Sequence, residues 1–555
     1  MQTTPSGNAR SFSPRVGLML LMFSILALLG IFAYQNWWSP SPIPSGMLFG
    51  RSAHAQEPSQ RIKAPELEGG VAWINTAGPI QIHRDLKGKI VVLDFWTFCC
   101  INCIHTLPDL AKIEKKYEKE VVVIGVHAAK FDNEKNTEAI RKAVLRYQIK
   151  HPVVNDANMK IWDAYGCQSW PTLAVIDPEG NFVGVTSGEG QYDLLDRVIQ
   201  KLIDEHTKKK TLNTQPIRFD LAKFRDKPDT PLYFPGKILA DEKSNRLFIA
   251  DSTHHRIVIT DLDGNKIAIA GTGEPGRVDG PFEKAQFDDP QGMALKDEIL
   301  YVADRRNHML RALDLKAKTV KVIAGTGEQD RSNRDLGGPA LKTGMNSPWD
   351  LLLSPNGKSL YIAMAGNHQI WTYDFAEERL DPYAGDGMEN IEDGSLLSAH
   401  FAQPSGLTTD GKTLFVADSE VSAIRAVGIG GKGSVSTLVG KGLFQFGDKD
   451  GVGNDVRLQH ALGVLYLNGL LYVADTYNSK LKTLDPKTRE CHTYLGGNSG
   501  GWLDGPLFNE PAGLSYAKGK IYVADTNAHR IRVVDVKTKA VTTLALQGVP
   551  PVVVK

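Results

Sequence analysis

Three of the chain's five cysteines, Cys99, Cys100 and Cys103, fall within five residues of one another. They follow directly on the apolar run 90–95, so a strand delivers them into a turn. A Cys-x-x-Cys pair between a strand and a helix is the layout of a dithiol redox site. The first turn of such a helix offers unpaired N–H groups and about half a positive charge, which favours a thiolate at Cys100. Cys100 is therefore the candidate nucleophile. Cys103, one turn on, is the thiol that attacks a mixed disulfide on Cys100 and releases the reduced partner. The competing chemistry is metal binding, but there is no second Cys-x-x-Cys, and His105 is too close in sequence to complete a tetrahedral set. No metal is expected, and no cofactor beyond the dithiol itself. Cys99 carries two readings, a small buried packing residue or a third thiol able to compete within the cluster, and so does Cys167. Cys491 reads as packing.

A pair of this kind needs a sheet behind it and a helix to carry it. The chain offers a strand over 90–95, the helix that opens at the cysteines, a strand over 121–126, a helical stretch near 136–147 and a hairpin around 177–180, an alternation that signals α/β architecture. This segment resembles the thioredoxin superfamily. Asp94 lies in the run Leu93–Trp96 where that family carries a buried acid, Pro108 matches its helix-kinking proline, and 165–172 (YGCQSWPT) is similar to the segment that holds its cis-proline. The resemblance implies that Asp94 relays a proton to or from Cys103. It also implies that Pro171 faces the dithiol, while Trp170 presents backbone groups to an extended substrate beside Cys99. Ile101 and Asn102 stand where ordinary thioredoxins have Gly-Pro, and that dipeptide affects redox poise, so the direction of electron flow is open.

From Pro231 onward the chain repeats itself. Six apolar pentads align: 247–251 (LFIAD), 300–304 (LYVAD), 360–364 (LYIAM), 414–418 (LFVAD), 471–475 (LYVAD) and 521–525 (IYVAD). A Phe-x-x-Pro-x-Gly element precedes several of them, at 287–292, 401–406 and 508–513. A period of 50 to 60 residues with about four short strands per unit means a β-propeller, here with six blades. Ring closure removes open sheet edges, and the expectation is that a first strand, 232–239, shares a blade with the last, 540–546. His255, His308, His368 and His529 occupy equivalent repeat positions, which points to a shared structural role, and the Asp residues that end the pentads are expected to bond their own turns.

The pentads together with Asn307-His308, Asn367-His368 and His529-Arg530 resemble the NHL repeat; Met364 replaces the repeat's Asp, and Ser422 and Ser479 replace its His. A thioredoxin-like unit followed by such a propeller is similar to the NHL repeat-containing protein 2 family. The stretch 99–103 (CCINC), 127–131 (HAAKF) and 146–156 (RYQIKHPVVND) carry that likeness. The family fixes architecture more firmly than activity.

The 19 residues Val16–Tyr34 are uncharged and mostly apolar, about 28 Å as a helix, close to the thickness of a hydrocarbon core. Arg10 and Arg15 precede them, which by the positive-inside rule leaves the short tail in the cytoplasm and the bulk outside. Ala53-His54-Ala55 has the form of a signal-peptidase site, so release after Ala55 is the alternative to an uncleaved anchor. The fold class expected is multidomain: a cytoplasmic tail (1–15), one transmembrane signal-anchor helix (16–35), a linker (36–60), an α/β thioredoxin-like domain (61–208), a linker (209–230) and an all-β six-bladed NHL-type propeller (231–549). With 64 basic against 63 acidic residues, the net charge of +1 argues against nucleic acid as a partner.

Two functions follow. One is a membrane-anchored, extracytoplasmic (periplasmic, in a Gram-negative bacterium) thiol-disulfide oxidoreductase that takes a protein client and an electron-donor protein, with a propeller for docking. The other is a non-catalytic scaffold in which both domains are interaction modules. The first expects an exposed, acidic Cys100, the second an inert one.

Overall fold

The computed structural model describes residues 61–222, 230–331, 337–430, 433–497 and 508–551. It is a thioredoxin-like α/β domain followed by a six-bladed β-propeller. Among the described residues no helix is long and apolar enough to cross a membrane; the run Val16–Tyr34 lies outside them.

The α/β domain is built on β1 (Ala72–Ile74), β2 (Ile90–Trp96), β3 (Val121–His127), β4 (Val153–Asn155), β5 (Thr172–Ile176) and β6 (Phe182–Ser187), in the order β1-β4-β3-β2-β5-β6. Strands β2, β3 and β4 run parallel, while β1, β5 and β6 pair antiparallel at the flanks. Every residue of β2 is buried, as the run of β-branched and aromatic side chains at 90–96 requires of a central strand. Alternation sends Val91, Leu93 and Phe95 to one face, where they pack with Ile161, Trp162 and Tyr165. The other face carries Ile90, Val92, Asp94 and Trp96.

Helices cover both faces, Ile101–Lys116 and Tyr192–Lys208 lying on the second. Helix α1 (Ile82–Asp85) is a short crossover; α2 (Ile101–Lys116) carries Cys103 and continues through Pro108. Helix α3 (Thr137–Arg146) is capped by the Asn136 side chain, which accepts from the N–H groups of Glu138 and Ala139. Helices α4 (Lys160–Ala164) and α5 (Tyr192–Lys208) complete the domain. The stretch expected as a linker begins as part of the domain: Lys89 Nζ donates to the carbonyls of Asn213 and Gln215, and Ala222 N–H to Asn75 Oδ1.

The six blades span 238–270, 290–324, 348–384, 404–439, 463–496 and 511–543, each a four-stranded antiparallel sheet running outward in chain order. The last glycine of the Phe-x-x-Pro-x-Gly element is set by crowding at the axis. A Cβ on Gly406 would stand 2.8 Å from Leu462 O, and one on Gly513 would stand 2.7 Å from Lys237 Cα in the next blade.

Ring closure differs from the expectation. The first strand, Ile238–Asp241, stays in blade 1, and the last, Val541–Thr543, stays in blade 6. What crosses is the tail beyond it: Gln547 bridges Asn265, accepting from Lys266 N–H at 3.0 Å and donating to Gly264 O at 2.9 Å. Blades 2 to 5 each receive a two-residue strand from the preceding connection on their outer edge. The tail supplies the equivalent cover for blade 1, so every blade retains its own strands.

The pentad aspartates also do more than close their own turns. Asp251, Asp304, Asp418, Asp475 and Asp525 each accept the N–H of a residue 16 or 18 positions earlier, at 2.6 to 2.8 Å. They thereby pin the loop that enters the blade. Bonds to the local turn exist as well, from His254 to Asp251, Asn307 to Asp304 and Asn478 to Asp475.

Candidate functional site

Cys100 is the N-cap of α2, in extended conformation, where the strand must turn into the helix. Cys103 lies one turn in and is fully buried. Burial, then the neighbouring Cys100 thiol, then the nearby Asp94 push the Cys103 thiol well up. Asp94 is fully buried with neither oxygen bonded; burial pushes its carboxyl up to about 7, and His151 pulls it partly back. The Trp170–Pro171 peptide is cis, at the start of β5. The Trp170 side chain folds inward, donating from Nε1 to Ala128 O at 2.9 Å and stacking on Trp162. All five cysteines are free thiols. Cys167 packs beside Trp162 and Tyr165, and Cys491 is fully buried inside the propeller.

The exposed Cys100 that the oxidoreductase reading expects is not what the structure has. Cys100 is 8% exposed, because the propeller sits on its loop. Gln403 spans the nucleophile: its Oε1 accepts from Ile101 N–H at 2.8 Å, and its Nε2 donates to Cys99 O at 2.9 Å. One carboxamide thus imitates a peptide unit paired with the backbone on either side of Cys100. The Cys99 thiol points to the propeller and donates to Glu420 Oε1 at 3.5 Å. Glu420 is ion-paired with Lys130 at 2.8 Å, each side chain 4% exposed; burial pushes the Glu420 carboxyl up, but the neighbouring Lys130 ammonium outweighs it and holds Glu420 below its ordinary range. Glu134 lies beneath the same loop. It accepts from the N–H groups of Cys99, Lys130 and Phe131, and burial pushes it up to about 7.

A sixfold device presents these groups. Phe234, Asp289, Ser347, Gln403, His460 and Glu510 take left-handed backbone at equivalent places, just before each blade's inner strand. The repeat histidines hold them. His529, His255, His308 and His368 accept, through Nδ1, the N–H of Phe234, Asp289, Ser347 and Gln403, each in the following blade. Ser422, standing in for a histidine, accepts from His460 N–H through Oγ.

The crown meets the α/β domain side chain by side chain. Ser347 bonds His105 Nε2 at 2.7 Å, with Glu189 on the other ring nitrogen. Glu510 accepts from Asn133 and Arg146, His460 meets the Phe131 ring at a tilt, and Phe234 lies under Arg146. Ile101 and Ile104 pack with Trp349, Leu462 and Ala512 over the end of the central channel. The channel itself is a cavity of about 310 Å³, lined by the inner strands of the blades. Lys237 crosses it, donating to Asp350 at 3.2 Å and to the carbonyls of Ser405 and Leu462.

Of the residues at this site, Cys100, Cys103, Asp94 and Pro171 stood out in the sequence and His105 only as a metal ligand to be set aside, whereas Lys130, Glu134, Gln403 and Glu420 did not stand out. The available signal was the second variable position of Phe-x-x-Pro-x-Gly, where a constant frame carries Asp289, Gln403 or Glu510.

A thioredoxin-like family profile matches residues 88–182, and an NHL repeat profile matches 508–534. The chain is 45% identical over 468 residues to the chloroplastic protein SUPPRESSOR OF QUENCHING 1 of Arabidopsis thaliana, covering 81% of this chain and 44% of that one. It is 42% identical over 490 residues to the NHL repeat-containing protein 2 of Bos taurus, covering 82% of this chain and 67% of that one. The chain belongs to the NHL repeat-containing protein 2 family. It spans less than half the length of the plant relative and two thirds of the bovine one. The α/β domain of this family member is also related to thiol-disulfide oxidoreductases, being 32% identical over 119 residues to ResA of Bacillus thuringiensis, across 21% of this chain and 66% of that one.

Proposed function

We propose that the chain is a thiol-disulfide oxidoreductase in which Cys100 and Cys103 are the redox couple and the propeller covers the nucleophile until a client is engaged. The observation that carries this reading is the conjunction of Cys100 at the helix N-cap, Cys103 buried one turn on, a buried Asp94 without a hydrogen-bond partner and a cis peptide before Pro171. Nothing in packing explains an acid left without partners next to a dithiol, whereas proton transfer at Cys103 does. The client is a protein carrying a thiol or disulfide, and the electrons are exchanged with a second redox protein. Val16–Tyr34 supports a membrane anchor with both domains on the extracytoplasmic side, and release after Ala55 is the alternative.

A second reading, in which both domains are binding modules, is favoured by one observation, the burial of Cys100 beneath the Gln403 clamp. Trapping separates the two. The full chain carrying Cys103→Ser is incubated with a disulfide-bonded peptide, and the adduct is localised by mass spectrometry. The oxidoreductase reading expects a stable mixed disulfide on Cys100 that is lost in Cys100→Ser. Absence of any adduct on Cys100 supports the scaffold.

A further inference from the structure

The face of the sheet beneath α2 carries polar groups where a core would carry apolar ones. Asp94 and Trp96 alternate onto one face of β2, and the parallel register places Gly125 beside Asp94 and His127 beside Trp96. In this layer both oxygens of Asp94, Nε1 of Trp96, both ring nitrogens of His127 and Nε2 of His151 are buried without a hydrogen-bond partner. An unmet buried group costs about 1–3 kcal/mol, so a cluster of them persists where water or a function compensates.

Gly125 brings two of these groups together beside Asp94. A Cβ there would lie 2.9 Å from Trp96 Nε1, 3.1 Å from Val153 Cγ2 and 3.5 Å from His151 Nε2, so only a glycine lets the two nitrogens approach the strand this closely. His151 is the neighbour whose charge acts on Asp94. Its other nitrogen, Nδ1, lies 3.4 Å from Glu114 Oε2, and Glu114, 29% exposed on α2, reaches solvent. Asp94 and His151 thus share Gly125 as a neighbour, and His151 in turn reaches Glu114 and bulk water.

We infer that His151 is a positioning and proton-relay residue for Asp94, moving protons between that buried carboxyl and solvent by way of Glu114. The inference rests on the oxidoreductase reading. With a client disulfide opened onto Cys100, the Asp94 carboxylate takes the Cys103 thiol proton. The Cys103 sulfur attacks Cys100 Sγ, the Cys100–Cys103 bond forms and the Cys100–client bond breaks. The client sulfur leaves as a thiolate and is protonated by water, so the client has gained two electrons and the dithiol has lost them. Asp94 then passes its proton outward, and the reverse reaction draws one in along the same path. The titratable groups facing Asp94 are Cys103 on α2 and His151 before β4; the one facing His151 from α2 is Glu114.

The test is the rate at which the full chain resolves a preformed Cys100–glutathione mixed disulfide, measured against pH in wild type, His151→Gln and Glu114→Gln. Glu114 is partly exposed, so its variant keeps the test open if the His151 variant folds poorly. The relay expects His151→Gln to slow the resolving step tenfold or more and Glu114→Gln severalfold, with the rate of Cys100 alkylation unchanged. It also expects small buffer molecules to restore part of the lost rate in Glu114→Gln, which no purely structural role would allow. Equal resolving rates in all three proteins overturn the relay while leaving the redox couple intact. A wild-type chain that never closes the Cys100–Cys103 bond overturns the function and the relay together.

Discussion

Asp94 is where the account is most exposed at the level of a single residue. Its folded carboxyl is pushed up to about 7, against 3.8 for the ordinary group. Below pH 7 it is neutral and cannot accept the Cys103 proton, so the resolving step should fall about tenfold per pH unit on the acid side and level off above 7. Asp94→Asn should be slow throughout, with that inflection gone. Stability carries the same sign. A raised folded pKa means that the folded state binds the proton more tightly, so the stabilisation is complete below pH 4 and is lost as pH rises through 7. At about 1.4 kcal/mol per unit, denaturant titration should find Asp94→Asn gaining up to about 4 kcal/mol on wild type between pH 4 and pH 8. These residues were legible in the sequence because their meaning is local: Cys100, Cys103 and Asp94 fall within ten positions on one strand and one turn. Gln403 and Glu420 were not, since their partners on the Cys loop and at Lys130 lie 302 and 290 residues away.

At the level of elements, the repeat frame was readable and its exceptions were not. Four blades pair a buried Asp with a cation seven residues on: Asp304 with Arg311, Asp418 with Arg425, Asp475 with Lys482, and Asp525 with Arg532. Blade 3 changes both partners at once, to Met364 and Trp371, and both are buried in the same apolar cluster. Met364 Sδ still accepts Asn346 N–H at 3.4 Å, so the loop anchor survives while the ion pair is exchanged for packing. Met364→Asp alone should therefore cost about 3–5 kcal/mol, by leaving a carboxylate buried against an indole. Adding Trp371→Arg should recover much of that loss in a double-mutant cycle of melting curves; an additive pair would refute the coupling. The mistaken closure has a similar cause. Sequence periodicity identifies strands, but which edge the tail covers depends on the approach at Gly264, where a Cβ would stand 2.2 Å from Ala545 O.

On the scale of the whole molecule, the two domains share one site. The propeller contributes Gln403 and Glu420 to the loop that holds the dithiol, and the α/β domain closes one end of the propeller's channel. Composition and period disclosed the two units, whereas the docking depends on the identity of crown residues that the repeat leaves free to vary. Reactivity should accordingly belong to the intact chain rather than to the cysteine motif alone. The most direct test is equilibration of the full chain in glutathione buffers of graded poise, with each cysteine's state read by differential alkylation and mass spectrometry. A reversible two-electron bond between Cys100 and Cys103 is expected, with Cys99, Cys167 and Cys491 remaining thiols. Failure to form that bond at any poise, or a bond that instead uses Cys99, would contradict this expectation.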